Sequence, residues 1–326
     1  MKSKQMESGK AFEYALLIEF KEKLEKKTKV EVVDNSSLVI AKKCFDFFVV
    51  ISQSQYILSA SFAVNFLIDI EPRLSNSLSN NDVLQLEILS DLRGKSGDVR
   101  DVLAIRLNQE WEIGISAKNN HNAVKHSRLS SNIDFGEKWV EENCSTEYFE
   151  EINPIFSKLN QIKIESNSKA KWNDINEKDK VIYKPLLEAF KRELLRLHST
   201  NQIKIANNLI KHLVGNQDFY KVIKRKNHVD IIAYNLYGTL NLPFKKIESK
   251  YKTPITKLPS EIIDVSFKKN SNTTIIVELN NEWKLSFRIH NASSKVEPSL
   301  KFDIKLLSSP KTLFKNTLSI PKEEVE

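Results

Sequence analysis

Apolar positions recur along this chain at intervals of three and four in some stretches and at intervals of two in others. Phe12, Tyr14, Leu16, Leu17, Ile18 and Phe20 predict an amphipathic helix over 8–20, followed by a charged run at 21–29. A short strand is expected at 30–33. The most apolar stretch, 38–70, is interrupted by Lys42, Lys43, Asp46, Gln53 and Gln55, so 36–66 reads as a helical hairpin and not as a membrane span. After a polar loop at 75–81, the segments 83–89, 99–107 and 111–117 alternate and read as a three-stranded meander with a short turn at 108–110. A helix is expected over 121–129.

The helical period returns between 145 and 215. It is carried by Tyr148, Ile152, Ile155, Phe156 and Leu159, then Leu186, Leu187, Phe190, Leu194 and Leu195, then Ile205, Leu209 and Leu213, with Gly215 as the stop. Residues 166–180, rich in Asn, Ser and Lys, read as a linker. Strands dominate 218–306, at 229–234, 262–267, 273–279, 283–289 and 300–304, with Asn280-Asn281 as a hairpin signal. The polar tail after Ser308 is expected to fray. The pattern predicts an α/β (α+β) chain: a mixed sheet flanked by helices over 1–145, a helical region over 146–215, and a β-rich region over 216–326.

Composition narrows the class. The chain has 326 residues, 40% hydrophobic and 28% charged, enough for a well-buried core in one large domain or two modest ones. Its net charge of +8 is spread along the chain and favours a polyanionic partner. The opening Met1-Lys2-Ser3-Lys4 has no apolar signal core, so a cytoplasmic protein is expected. Cys44 and Cys144 are read as reduced thiols, and without paired Cys or His spacing zinc is not expected. No GxxxxGK[ST] loop is present, which disfavours a helicase or other nucleotide hydrolase.

Chemistry concentrates in the meander. Asp101 opens the apolar run 102–105, and Lys118 closes the next strand. An acid at a strand start holds a hard cation beside a scissile phosphate. A lysine on the adjacent strand orients water and offsets developing charge. This is the arrangement of a magnesium-dependent phosphodiesterase of the PD-(D/E)XK type. Asp101 is the first candidate metal ligand and Asp98 the second. The position two before the lysine, usually an acid, is Ser116, a poor magnesium ligand. The missing carboxylate is sought in Glu13 on the first helix or in Glu112, and the Ala117 carbonyl is a further candidate. Directly after Lys118 come Asn119, Asn120, His121, Lys125, His126 and Arg128, donors suited to phosphates and base edges. His121 and His126 are also candidate general bases.

Several longer strings resemble one known family. GDVRDVL (97–103), GISAKNNHNAVKHSRLS (114–130) and DFGEKW (134–139) resemble type II restriction endonucleases of the HaeIII family. So do GKAFEYAL (9–16), VGNQDFYKVI (214–223), NLYGTLNLP (235–243) and SFRIHNASSKVEPSLKFDI (286–304), which extend the resemblance over most of the chain. The resemblance implies a restriction-endonuclease-like fold and magnesium-dependent cleavage of double-stranded DNA at GGCC, with a partner cytosine methyltransferase protecting host DNA. A palindromic site favours a homodimer, with a monomer nicking in succession as the alternative. The competing class is a non-catalytic, sequence-specific DNA-binding protein with a degenerate nuclease fold, which Ser116 keeps open.

Guanine presents N7 and O6 to the major groove, where arginine and lysine meet them best. Two segments offer readers, both in the β-rich region expected to recognise DNA. One is 221–228, represented by Lys224, whose bland reading is a solvated loop attracting phosphate. The other is 286–295, where a strand delivers Arg288 and His290 to one face and a polar turn follows with Asn291, Ser293, Ser294 and Lys295.

Overall fold

The computed structural model describes residues 4–90, 97–120 and 123–321. It divides into two compact units that interleave along the sequence: 1–121, 215–257 and 312–326 form the first, and 122–214 with 258–311 form the second. This division differs from the three consecutive regions expected. The segment 122–145 joins the second unit, and the β-rich region splits between both, because its strands pair with partners far away in sequence.

In the first unit, helix α1 (Lys4–Leu24) runs beyond both expected ends. Strand β1 (Val30–Val32) precedes helices α2 (Ser36–Asp46) and α3 (Val50–Ile70), the expected hairpin, and the short α4 (Pro72–Ser75). Asn35 caps α2 by accepting the Leu38 amide at 2.9 Å. The meander is present as β2 (Leu84–Ile88), β3 (Val102–Arg106) and β4 (Trp111–Asn119), antiparallel throughout. Strands β7 (Phe219–Lys224) and β8 (His228–Tyr234) extend the sheet, β7 running parallel to β4, and β13 (Phe314–Ser319) closes it against β8. Among the described residues the order is β1-β2-β3-β4-β7-β8-β13.

One face of this sheet, with Leu86, Ala104, Ile115, Val222 and Ile231, packs on Phe12, Leu16 and Phe20 of α1 and on Ala60, Val64 and Leu67 of α3. The spacing of three and four on each helix supplies the matching stripe. A buried polar link ties α3 to the sheet. The Tyr220 hydroxyl and the Asn241 amide each donate to Glu71 Oε1 at 2.6 Å, while Oε2 has no hydrogen-bond partner. Burial raises the Glu71 pKa to about 7 against these hydrogen bonds. The folded state therefore keeps a proton that the unfolded chain releases near the ordinary glutamate range. Stability should fall as pH rises from about 4.5 to about 7 and level off above, by on the order of 3 kcal/mol. Urea unfolding at several pH values should show this slope in the wild type and a flatter one in Glu71→Gln; identical slopes would count against it.

The second unit carries β5 (Ala123–Lys125), β6 (Arg128–Leu129), α5 (Phe135–Val140), α6 (Thr146–Glu165), α7 (Lys184–Thr200) and α8 (Gln202–Val214). It also holds β9 (Ile262–Phe267), β10 (Thr274–Leu279), β11 (Lys284–Asn291) and β12 (Leu300–Ser308). Its sheet runs β5-β12-β11-β10-β9 among the described residues, with β6 also on β12. Phe190 of α7 lies 4.6 Å from Phe135, 5.1 Å from Phe302 and 5.9 Å from Phe287 between ring centroids, seating the helices on the sheet.

Four local expectations are corrected. The helix expected at 121–129 is absent among the described residues, because Ala123, Lys125, Arg128 and Leu129 pair with β12 instead. The linker at 166–180 holds Trp172, buried and donating to the Tyr183 hydroxyl at 2.6 Å, in a short 3-10 turn. Lys221 and Lys224 lie buried in β7 and not in a solvated loop. The tail after Ser308 does not fray but forms β13, whose backbone pairs with β8. Among the described residues, no helix is long and apolar enough to cross a membrane, and Cys44 and Cys144 are not joined in a disulfide.

Candidate active site

The meander brings Asp101 and Lys118 together. Asp101 lies just before β3, and its amide donates to the Ile115 carbonyl of β4 at 2.8 Å, which fixes its position along that strand. Three groups of β4 donate to the same oxygen, Asp101 Oδ2: the Ala117 amide at 2.7 Å, the Lys118 ammonium at 2.9 Å and the Ser116 hydroxyl at 3.3 Å. Ser116 therefore supports the acid and does not replace one. Lys118 retains a third of its side-chain exposure, so it is fixed by Asp101 yet reachable.

Glu13 approaches from α1. It is buried, paired with Lys10 at 2.9 Å, and its pKa is raised to about 8, first by burial and then by the charge of Asp101, against the pull of Lys10 and Lys118. Glu13 and Asp101 thus form a repelling pair of carboxylates that a cation would reconcile. On β7, Lys221 is buried beside Ser116 in register and feels both Lys118 and Asp101. Sequence reading did not place Lys10 or Lys221 here. The parallel β4–β7 pairing that delivers Lys221 joins strands about a hundred residues apart and leaves no local signal.

Asp98 and Glu112 do not join this cluster. Arg100 takes both: its Nε and Nη2 donate to Asp98 at 2.8 and 2.9 Å, and its Nη1 donates to Glu112 at 2.5 Å. The Arg100 side chain crosses over Gly114, where an added Cβ would come within 2.0 Å of it. A glycine facing an arginine flanked by acids is the signal that would have found this clamp.

The candidate DNA contacts divide. Asn119 donates to the Ser8 hydroxyl, as does Tyr56 at 2.9 Å, and the Asn120 amide donates to the Lys224 carbonyl at 2.9 Å. Lys224 itself lies buried, 5.4 Å from the Tyr56 ring centroid. Lys125 turns inward, donating to the His212 carbonyl at 2.7 Å, with burial pushing its pKa down to about 8. His121 lies outside the described residues. In the second unit, His290, Lys301 and Arg128 stand in one lateral row across β11, β12 and β6, and Arg288 shares their face beside Asp303, at 3.6 Å. His126 is exposed, and its charge is felt at His290. Past β11, Asn291 donates to the Ser293 carbonyl. Ser293 in turn donates to the Lys295 carbonyl at 3.0 Å, and the Ser294 carbonyl accepts from the Trp172 amide at 2.9 Å, so the polar turn is held in shape.

The donor set around Asp101 suits magnesium. It offers carboxylate oxygens, and magnesium is commonly held by one or two carboxylates with water and substrate phosphate completing its shell. Among the described residues no group of three or more His, Cys, Asp or Glu gathers that could hold a metal ion.

Comparison with known proteins places these features in context. The family model described as HaeIII restriction endonuclease matches residues 9–310. The type II restriction enzyme HaeIII of Haemophilus aegyptius is 39% identical over 326 residues, covering 99% of this chain and 100% of that protein. No solved structure matches.

Proposed function

The chain belongs to the HaeIII restriction endonuclease family, and from that premise we propose that the Asp101–Lys118 cluster is its DNA-cutting centre. Membership makes it a type II restriction endonuclease, a hydrolase of phosphodiester bonds. The observation that carries the assignment of the site is the convergence of Ser116, Ala117 and Lys118 on one oxygen of Asp101. Asp101 and Glu13 would hold magnesium, which supplies Lewis-acid stabilisation of the phosphate when bound. Asp101 keeps Lys118 aimed at the phosphate. Lys118 orients the attacking water and offsets the negative charge that grows on the phosphoryl oxygens. Glu13, desolvated beneath the site, carries a proton until a cation displaces it.

The substrate is double-stranded DNA, with GGCC as the recognition sequence, which rests on the family resemblance. The two-fold symmetry of such a site favours a homodimer, and a cytosine methyltransferase acting on the same sequence would protect host DNA. Incubating a plasmid with the protein and magnesium, then sequencing the ends, tests the reading. Discrete fragments ending within GGCC support it; a shifted but uncut plasmid would sink it.

The row on β11, β12 and β6, with the exposed Arg288 beside it, is the proposed base reader of the second unit. A bidentate arginine to guanine is worth about 1–3 kcal/mol of discrimination, whereas a phosphate contact gives none. Arg288→Ala should therefore weaken binding to a GGCC duplex by roughly ten- to a hundredfold and to unrelated duplex far less, measured with calcium in place of magnesium to block cutting. Equal losses on both duplexes would assign Arg288 to the backbone.

A further inference from the structure

The turn between α2 and α3 displays an apolar run to solvent. Phe47, Val49, Val50 and Ile51 are each 70–75% exposed, and Val39 and Ile40 of α2 are exposed as well. Such a run adds nothing to the core and invites aggregation, so it marks a contact surface. The run is held in shape. The Gln53 side-chain amide donates to the Phe45 carbonyl at 3.2 Å and to the Phe48 carbonyl at 2.8 Å. The Phe48 ring lies 5.4 Å from that of Tyr56. Val49 occupies the N-cap of α3 with no capping side chain, where Ser, Thr, Asp or Asn would stabilise the helix. A local rule is broken here with no gain to the free protein, which points to function.

Tyr56 links this turn to the cutting centre. Its hydroxyl donates to Ser8 Oγ at 2.9 Å, the oxygen that also accepts from Asn119, the residue after Lys118. Its ring lies 5.4 Å from the Lys224 ammonium, and Lys224 is paired in register with Asn119. From there α3 runs back along β7, since Glu71 just past its far end accepts from Tyr220 at 2.6 Å. The turn therefore projects past the sheet edge that carries Lys118. The helix from Val50 to Tyr56 gives it a reach of about 9 Å at about 1.5 Å per residue. A duplex with its scissile phosphate at Lys118 brings the turn within a few base pairs, each rising about 3.4 Å. Charge permits the approach. No acid occurs from Phe47 to Ile68, Asp46 is paired with Lys42 at 2.8 Å, and Lys43 is exposed. These apolar side chains are far fewer than the roughly 20–30 residues that each side of a stable dimer engages, and the tip of a helical hairpin suits a narrow cleft. We propose that this turn is an apolar wedge that enters a groove of the bound DNA and parts a base step near the cut, with Phe47 and Ile51 against the bases. Wedges of this kind unstack a step and kink the duplex. The proposal rests on the reading of Asp101 and Lys118 as the cutting centre, and adds to it a contact with the bases from the helical layer.

The doubly substituted Phe47→Ser/Ile51→Ser protein, Phe47→Leu and Asp101→Ala test it. Short duplexes carry the sequence at which the enzyme cuts. Each holds one fluorescent base analogue (2-aminopurine for adenine, pyrrolocytosine for cytosine), stepped through the site and its flanks. Binding is followed in calcium, which blocks cutting. Wild-type protein should raise the fluorescence sharply at one step and not farther out, because an unstacked analogue is no longer quenched. The doubly substituted protein should unfold at the wild-type temperature, since both positions are exposed. It should lose the signal and bind roughly tenfold more weakly or worse. Phe47→Leu should keep most of the affinity. Fluorescence that stays flat at every position with wild-type protein overturns the wedge, and so does a doubly substituted protein with wild-type signal and affinity. A wild-type dimer in sedimentation that the double substitution turns into a monomer assigns the turn to a second copy, and overturns the proposal too. Asp101→Ala should cut no DNA yet still raise the fluorescence. If Asp101→Ala cuts at the wild-type rate, the cutting centre is rejected, and the fluorescence still judges the wedge by itself.

Discussion

Replacing Asp101 or Lys118 with alanine is expected to slow cleavage by roughly a hundred- to a thousandfold while DNA binding in calcium stays close to wild type. Lys118→Ala removes the ammonium but leaves Asp101 held by the Ala117 amide and the Ser116 hydroxyl, so the acid keeps its place. Asp101→Ala is the harsher change, because Lys118 then loses the partner that aims it. Asp98→Ala is the informative control. It frees one arm of the Arg100 clamp, so it should lower stability more than the rate of chemistry in enzyme that remains folded. Single-turnover rates on a saturated substrate would show it. A dead Asp98→Ala with an active Asp101→Ala would transfer the acid's role to Asp98.

The largest loss of stability is expected at Arg106, whose side chain has no exposure to solvent. From β3 its Nε donates to the Arg73 carbonyl at 2.6 Å, and Nη2 to the Leu74 carbonyl at 2.8 Å and the Thr28 hydroxyl at 3.1 Å. Nη1 donates to the Asp82 carbonyl at 3.2 Å and lies 3.6 Å from the Asp82 carboxylate. This one side chain joins the loop after α1, the short α4 and the entry to β2. Arg106→Ala would take the charge partner from the Asp82 carboxylate, which keeps only the Leu78 amide and the Gln109 side chain, and would leave several buried carbonyls unmet; such changes cost about 3–5 kcal/mol. Arg106→Lys should recover little, because a single ammonium does not span these acceptors. Urea unfolding would measure both. A loss for Arg106→Ala below about 1 kcal/mol would mean that water replaces the guanidinium without penalty.

What was legible in the sequence follows the range of the forces involved. The helical hairpin, the meander and the strands from 262 to 304 were readable because their periodicity is local. Asp101 and Lys118 were readable because both lie within one meander, so the turn between β3 and β4 fixes their meeting. Glu13 was found as a candidate, yet its approach depends on how α1 packs on the sheet. Lys125 and Lys224 are DNA-contact candidates by their basic neighbourhood, and nothing local signals the groups they pack against. Lys125 is instead folded against the end of α8, and Lys224 lies over an aromatic ring. Asp98 and Glu112 were indistinguishable from ligands until Arg100 was seen to bind both. Strands β5, β6, β7 and β13 depend on partners far along the chain, and composition says little about such pairing.

The interleaving of the two units has a consequence for the order in which the protein comes into being on the ribosome. Asp101 and Lys118 emerge early, but β7, next to β4 in the same sheet, is encoded beyond residue 215, and β13 arrives only at 314–319. β4 lacks its parallel neighbour until β7 emerges, and β8 presents an unpaired edge until β13 does. A sheet assembled from such distant segments folds late, because the closure entropy of the intervening chain must be met first. This sheet is therefore completed only once β13 has emerged, and until then a nascent chain carries Asp101 and Lys118 without the full scaffold that assembles them.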